Sequence, residues 1–100
     1  VKTICVAFPD LKALSLDSNN IDDDILVDIC SIRLVTLSLV DNKITDTGGQ
    51  LIANRLDSLE QLYISYNMIT NRSVEIMSKY LYRLKVLHLA RNKVRNKGAL

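Results

Sequence analysis

The sequence predicts an α/β solenoid, a right-handed curved horseshoe segment of βα units with one parallel sheet on its concave face. Two observations predict this fold. A short strand-like motif occurs four times at a nearly constant spacing, and helical spacing of apolar residues follows the first three copies. The 100 residues, 48% hydrophobic and 24% charged, have the composition of an ordinary globular domain.

The repeated motif has two leucines three positions apart, an aliphatic residue two positions later, an asparagine three positions after that, and a last aliphatic residue two positions beyond. Successive copies begin 23, 25 and 25 residues apart. The copies span residues 11–21, 34–44, 59–69 and 84–94. A fixed period of this length is typical of solenoid proteins, so we expect residues 1–100 to form a single domain of about four repeats.

Each copy begins with an alternation that predicts a strand. Leu37 and Leu39, for example, face the core while the residue between them faces solvent, which indicates a strand of about three to five residues. Neighbouring parallel strands lie about 4.8 Å apart, whereas packed helices need about 8 to 10 Å. The stack therefore bends, with the sheet on its concave side.

Helical spacing follows each of the first three predicted strands. Asp46 precedes Ile52 and Leu56, and Asn71 precedes Met77, at intervals that place the apolar residues on one helical face. Asp46 and Asn71 are residue types that favour the N-cap, so we expect short helices to begin there.

The full pattern is L-x-x-L-x-L-x-x-N-x-L, and its four copies cover nearly the whole chain. It resembles the repeat of the leucine-rich repeat family. Within that family the sequence is similar to the intracellular, ribonuclease-inhibitor-like members, although its repeats are shorter. The resemblance implies a leucine-rich repeat solenoid that binds proteins on its concave face. It also implies an asparagine ladder, in which one buried amide per repeat satisfies loop backbone groups. The ladder residues are Asn19, Asn42, Asn67 and Asn92.

The outward positions of the four strands form the candidate binding surface. Tyr63, Tyr66, His88 and Arg91 are the strongest candidates, because tyrosine and arginine are enriched among residues that dominate binding energy. Display of such residues on a sheet surface without a binding role is the competing interpretation. The predicted partner-binding residues are Ser15, Asp17, Ser38, Val40, Asp41, Gln61, Tyr63, Ser65, Tyr66, His88, Arg91 and Lys93.

Charge is distributed unequally along the chain. Residues 1–50 hold 4 basic and 8 acidic residues, and residues 51–100 hold 9 basic and 3 acidic ones. This asymmetry predicts a protein partner with an acidic patch facing the C-terminal half. Nucleic acid is a weaker alternative, because the basic residues are spread over strand, loop and helix start and form no contiguous track.

Other chemistry is not favoured by the sequence. Asp41, Ser65 and His88 superficially resemble a catalytic triad, but they occupy different columns of an open sheet without an oxyanion hole. The acidic run Asp22–Asp24 is explained by a helix N-terminus, and the single histidine and two cysteines cannot build a structural zinc site. We therefore expect no enzymatic activity, no cofactor, no metal and no small-molecule substrate.

The remaining features concern location and extent. Cys5 and Cys30 lie one repeat apart, too far for a disulfide across packed outer segments, so we expect two packed thiols and an intracellular, cytoplasmic protein. A bacterial effector secreted into a host cytosol is the alternative. No apolar run is long enough to cross a membrane. Residues 96–98 align with residues 46–48, which suggests a further helix and a fragment of a longer solenoid.

The predicted function is therefore protein binding through the concave face, in one form by covering the active site of an enzyme. The alternative is a structural repeat segment of a larger scaffold or adaptor protein, which would bind through residues outside this sequence.

Overall fold

The computed structural model describes residues 10–94, which form four strands joined through three helices. Every strand has three residues, within the length that the sequence predicts. No helix in this range is long and apolar enough to span a membrane. The elements in chain order are β1 (Ala13–Ser15), α1 (Asp23–Ile29), β2 (Thr36–Ser38), α2 (Asp46–Arg55), β3 (Gln61–Tyr63), α3 (Asn71–Tyr80) and β4 (Val86–His88).

The strands form one parallel sheet in the order β1-β2-β3-β4. Leu14, Leu37, Leu62 and Leu87, the second leucines of the four motifs, are direct partners in adjacent strands. Because the same motif position pairs with itself in every repeat, the helices between the strands stack in the same order. The predicted fold class, a solenoid segment with a parallel sheet, is confirmed.

The hydrophobic core lies between the sheet and the helices. Leu37 and Leu62 of the inner strands are fully buried, and Leu26 of α1 and Ile52 of α2 pack into the same core. Burial of one such side chain contributes about 1.5 to 3 kcal/mol. Within residues 10–94 no helix covers the opposite face of the sheet, which we call the open face.

The N-caps of α2 and α3 lie one residue earlier than the sequence suggests. They are Thr45 and Thr70, both extended, rather than Asp46 and Asn71. The threonine side chains accept hydrogen bonds from backbone N–H groups two residues on, and Asp46 instead occupies the first turn, where a carboxylate is favourable. In α1 the N-cap is Asp22, as the acidic run indicates.

Two glycines in α2 allow the helices to approach closely. A Cβ atom on Gly48 would lie 2.3 Å from Asp23 Oδ1, and one on Gly49 would lie 2.2 Å from Ser73 Oγ. Both distances are too short for real contacts, so each glycine is required by its neighbouring helix. Ser73, rather than the apolar Val74, is the fully buried residue that α3 places against α2.

Some predictions fall on residues whose structure is not described. Cys5 and the helix start at residues 96–98 lie outside the range 10–94, as do Arg95 and Lys97, two of the basic residues of the C-terminal half. Cys30 is within the range and is buried in the core.

Candidate partner-binding face

A turn of unusual backbone conformation follows each strand. The residue directly before each motif asparagine has a positive φ, in the left-handed region that non-glycine residues rarely adopt. These residues are Ser18 (φ 57°), Asp41 (φ 59°), Tyr66 (φ 58°) and Arg91 (φ 58°). None is a glycine or asparagine and only Asp41 is of a type that favours this region, so the sequence carries little signal for this turn. The turn fixes where the Tyr66 and Arg91 side chains leave the backbone.

The asparagine side chains hold these turns together from one repeat to the next. Asn67 Oδ1 accepts from the Ile44 N–H at 2.9 Å, and Asn67 Nδ2 donates to the Leu39 carbonyl oxygen at 2.9 Å. It also donates to carbonyl oxygens of its own turn at 3.2 Å. In the same way, the side-chain amides of Asn42 and Asn92 each accept from a backbone N–H and donate to a carbonyl oxygen of the preceding repeat.

Asn19 has a different environment. It is exposed, and its Nδ2 donates to the Asp17 carbonyl oxygen at 2.8 Å within its own turn. Its backbone N–H donates to Asn42 Oδ1 at 3.1 Å. In the described part of the chain no earlier strand pairs with β1, so the side chain has no neighbouring turn to hold.

Tyr63 and His88 lie side by side on the open face. They are direct partners in β3 and β4, and their rings make an edge-to-face contact with centroids 4.8 Å apart and an interplanar angle of 87°. Such a pair stabilises by about 0.5 to 1.5 kcal/mol beyond burial. The Tyr63 hydroxyl also donates to Gln61 Oε1 at 3.5 Å.

Tyr66 and Arg91 lie beside this pair, at equivalent positions of adjacent turns. The Tyr66 N–H donates to the Ala90 carbonyl oxygen at 2.8 Å, which ties the two turns together. Tyr66 is 54% exposed. The structure thus places the four strongest candidates on two adjacent repeats, with Tyr63 half-buried and the other three exposed.

The structure adds Met68 and Lys43 to the surface. Met68 follows the ladder asparagine and is 39% exposed, high for a large apolar side chain. Lys43 and Lys93 occupy the same position in the repeats on either side. Of the residues that directly follow a motif asparagine, the sequence interpretation included only Lys93. Met68 could have been found by comparing this position in all four repeats.

The candidates in the first two repeats are engaged in bonds between repeats. Asp17 Oδ1 accepts from Ser38 Oγ at 2.7 Å and from the Val40 N–H at 2.9 Å. Ser18 Oγ donates to Asp41 Oδ2 at 2.8 Å. These carboxylates therefore hold the turns in register as well as facing solvent, a role that the sequence interpretation did not assign.

A second set of carboxylate bonds links the helix starts. The Thr70 N–H donates to Asp46 Oδ1 at 2.9 Å, the Thr70 hydroxyl donates to Asp46 Oδ2, and Ser73 Oγ donates to Asp46 Oδ1 at 2.6 Å. Burial raises the pKa of Asp46, but the hydrogen bonds from Ser73 and Thr70 outweigh it, so this pKa lies below its ordinary value. Asp23 accepts from Thr45 in the same way.

The geometry does not assemble the superficial triad. The His88 ring packs against Tyr63, while the Ser65 carbonyl oxygen accepts from the Asp41 N–H at 3.0 Å. Among residues 10–94, no group of three or more histidine, cysteine, aspartate or glutamate residues is placed to hold a metal ion. In the same range every buried side-chain nitrogen and oxygen has a hydrogen-bond partner.

The repeats described above match a known protein family. The family model described as Leucine Rich repeat matches residues 9–30, 33–53 and 84–100, more than half of the chain. The matched segments contain the first, second and fourth copies of the motif, and the structure places the third copy in register between them. The match does not distinguish a ribonuclease-inhibitor-like subgroup. No curated protein matches the sequence.

Proposed function

Because this chain belongs to the leucine-rich repeat family, whose repeats generally mediate protein–protein interaction, we propose that it binds a protein partner through the open face of its sheet. Domains of this family are typically non-catalytic, and we propose no reaction for this one. The observation that carries the proposal is the cluster of Tyr63, Tyr66, His88 and Arg91 on two adjacent repeats.

The cluster has the properties of an interface centre. Tyrosine and arginine supply large contact areas, tyrosine with few rotatable bonds, and both are enriched among residues whose loss weakens binding most. The ring contact between Tyr63 and His88 orders these two side chains, and the turns hold the backbone of Tyr66 and Arg91 in place, before a partner arrives. Less conformational entropy is then lost on association.

Charge supports an acidic patch on the partner. Lys43 and Lys93 occupy the position of Met68 in the neighbouring repeats, Arg91 occupies the position of Tyr66 in the next repeat, and all three cations are exposed. Carboxylates of a partner opposite these cations would increase the association rate and fix the orientation. In one form of the proposal the bound partner is an enzyme whose active site is covered. Nucleic acid is less favoured, because Met68 interrupts the cations along this column.

A structural role within a longer scaffold is the second candidate. Leu14 and Leu87, in the two end strands of the described sheet, are only half-buried, whereas Leu37 and Leu62 are fully buried. Further repeats stacked on these ends would complete the burial. An intracellular, cytoplasmic location stays a prediction, as does its alternative, a bacterial effector secreted into a host cytosol.

The proposal is tested by affinity capture with the whole chain and quantitative mass spectrometry. The site variant is Tyr66→Gly with Arg91→Gly, because glycine accepts the positive φ of both turns without strain. The control is Tyr80→Ala with Tyr82→Ala, which removes two tyrosines, 53% and 69% exposed, from the end of α3 and the loop after it.

Partners lost with the site variant and kept with the control support the proposal. For such a partner, titration calorimetry is expected to show at least about tenfold weaker binding to the site variant. Partners kept by the site variant and lost with the control would contradict binding through the open face.

A further inference from the structure

The half of the open face that the first two repeats form is low and acidic. Its strands and turns, residues 13–18 and 36–41, contain two aspartates and no lysine or arginine. Residues of β1 and β2 line a depression of about 500 Å³ that is open to solvent, and Tyr63 completes its lining. The lining residues of these two strands are Ala13, Leu14, Ser15, Thr36 and Ser38, mostly small side chains.

Asp17 and Asp41 each keep one carboxylate oxygen for a further contact. Asp17 accepts from Ser38 and Val40 through Oδ1, and Asp41 accepts from Ser18 through Oδ2. Within residues 10–94 the second oxygen of each carboxylate accepts no hydrogen bond, and both residues are exposed. A cation from another molecule can therefore bond these carboxylates without breaking the turns that they hold.

The half that the last two repeats form is high, aromatic and basic. Its segments, residues 61–66 and 86–91, contain Arg91 and no aspartate or glutamate. The Tyr63 and His88 rings stand together here, and Tyr66 is 54% exposed. Lys43 and Lys93, which follow the ladder asparagines, add one cation to each half and leave the difference unchanged. The two halves of the face are thus opposite in height and in charge.

A surface with two opposite halves is complementary to its own copy. A two-fold axis that runs along the strands, between β2 and β3, places β1 of one copy opposite β4 of the other and β2 opposite β3. Because the strands pair in register, residues at the same motif position then face each other. The facing pairs, each made twice, are Ser15 with His88, Ser38 with Tyr63, and Ser18 with Arg91.

The aromatic residues of one copy fit the low half of the other. Tyr63 and His88 project toward the depression over β1 and β2. Two concave faces leave their widest gap at the centre, and Tyr63 and Tyr66 of both copies lie there, next to the axis. The hydroxyl groups of Thr36 and Ser38 already donate within the protein, so covering them leaves no donor unsatisfied.

Charge selects the direction of the axis. With the axis along the strands, Arg91 of one copy lies opposite Ser18 and one residue from Asp17 of the other, where a charge-assisted hydrogen bond can form. An axis across the strands would place each repeat opposite itself. The acidic half would then face the acidic half and Arg91 would face the basic half, an arrangement that like charges disfavour.

We propose that the open face binds a second copy of this chain in a two-fold dimer whose axis runs along the strands. This inference rests on the proposed function, because it uses the same face, and it names one protein partner. Four strands 4.8 Å apart and six residues at 3.3 Å each give a face of about 19 Å by 20 Å. Interfaces of this size are weak and transient, so we expect a dissociation constant between about 10 µM and 1 mM.

The first experiment is sedimentation equilibrium of the whole chain over about this concentration range. The wild type is expected to pass from the 11.3 kDa monomer toward twice that mass. Arg91→Asp removes the cation and Ser18→Arg places a second one opposite it, so each is expected to weaken the dimer at least about tenfold. Both turns should accept the new residue, because Asp41 and Arg91 already occupy this turn position in other repeats.

The matched control is Arg72→Asp, an equal charge reversal at an exposed position of α3, and it is expected to leave the dimer unchanged. Circular dichroism of all three variants checks that each is folded. Weakening by Arg72→Asp equal to that by Arg91→Asp would overturn the inference, because it would reduce the effect to net charge.

The second experiment mixes the Arg91→Asp and Ser18→Arg variants in equal amounts. At one end of the mixed dimer the introduced aspartate faces the introduced arginine, and at the other end Ser18 faces Arg91 as in the wild type. Association is therefore expected to return to about the wild-type strength, at least about tenfold tighter than for either variant alone. A mixture that associates no better than its components would overturn the proposed axis.

The outcomes separate this inference from the proposed function. A chain that stays monomeric throughout the range would overturn the dimer, while partners lost with Tyr66→Gly and Arg91→Gly would leave open-face binding standing. A dimer that neither Arg91→Asp nor Ser18→Arg weakens uses another surface and would overturn the inference as well. A dimer that both variants weaken and the mixture restores supports it.

Discussion

Replacement of Asn67 by alanine is expected to destabilise the protein strongly. Asn67 is 7% exposed, and its amide bonds the Ile44 N–H and the Leu39 carbonyl group of the preceding repeat. Ile44 and Leu39 are 0% exposed, so water cannot easily replace the lost partner. Each of these two buried groups left unsatisfied costs about 1 to 3 kcal/mol, and the expected loss in the free energy of unfolding is therefore about 2 to 6 kcal/mol.

The matched control is Asn19→Ala, at the same motif position. Asn19 is exposed and, within residues 10–94, its side chain bonds only a carbonyl group of its own turn, so its replacement is expected to cost about 0.5 kcal/mol. Urea unfolding followed by circular dichroism measures both losses. With a denaturant dependence of about 1 to 3 kcal/mol per molar, the Asn67→Ala midpoint is expected to fall by roughly 2 M.

Equal losses for the two variants would refute the reasoning, because they would show that the bonds between repeats contribute nothing beyond the local turn. A loss below about 1 kcal/mol for Asn67→Ala would refute it as well. Glycine at position 67 is not an informative substitute, because its added backbone freedom changes the unfolded state too.

Three further predictions use the same unfolding assay. Gly49→Ala is expected to destabilise by about 1 to 3 kcal/mol through the clash with Ser73, although helix propensity alone would stabilise by about 1 kcal/mol; a stabilised variant would contradict the close packing of α2 and α3. The pKa of Asp46 is lowered by folding, so its stabilisation is present above the ordinary carboxyl pKa and is lost as pH falls through the folded value. The stability difference between wild type and Asp46→Asn should therefore shrink from pH 7 to acidic pH, and a constant difference would contradict this. Tyr66→Gly is expected to stabilise the protein by up to about 1 kcal/mol while it weakens partner binding, because relief of the positive φ, about 1 to 2 kcal/mol, exceeds the cost of the added freedom of glycine in the unfolded chain, about 0.5 to 1 kcal/mol; loss of stability would contradict the strain.

The leucines were sufficient to predict the strands and their parallel pairing. Their two-residue alternation gave the buried face, and the nearly constant spacing placed Leu37 opposite Leu62 in the sheet. The helix starts were less certain, because Thr45 and Asp46 are both favourable N-cap types in adjacent positions. Only the extended conformation of Thr45 decides between them.

The candidate surface was predicted less completely than the fold. The outward positions of Tyr63 and His88 follow from strand alternation, but the left-handed turns at Tyr66 and Arg91 have no signal in residue type.

Cross-saturation NMR of the labelled whole chain with a captured partner tests the central claim most directly. Saturation is expected at amides of residues 61–68 and 86–93, which carry the open-face cluster, and not at exposed helical positions such as Val27 and Glu75. Saturation confined to the helices, with the amides of Tyr63, Tyr66 and His88 unaffected, would contradict binding through the open face.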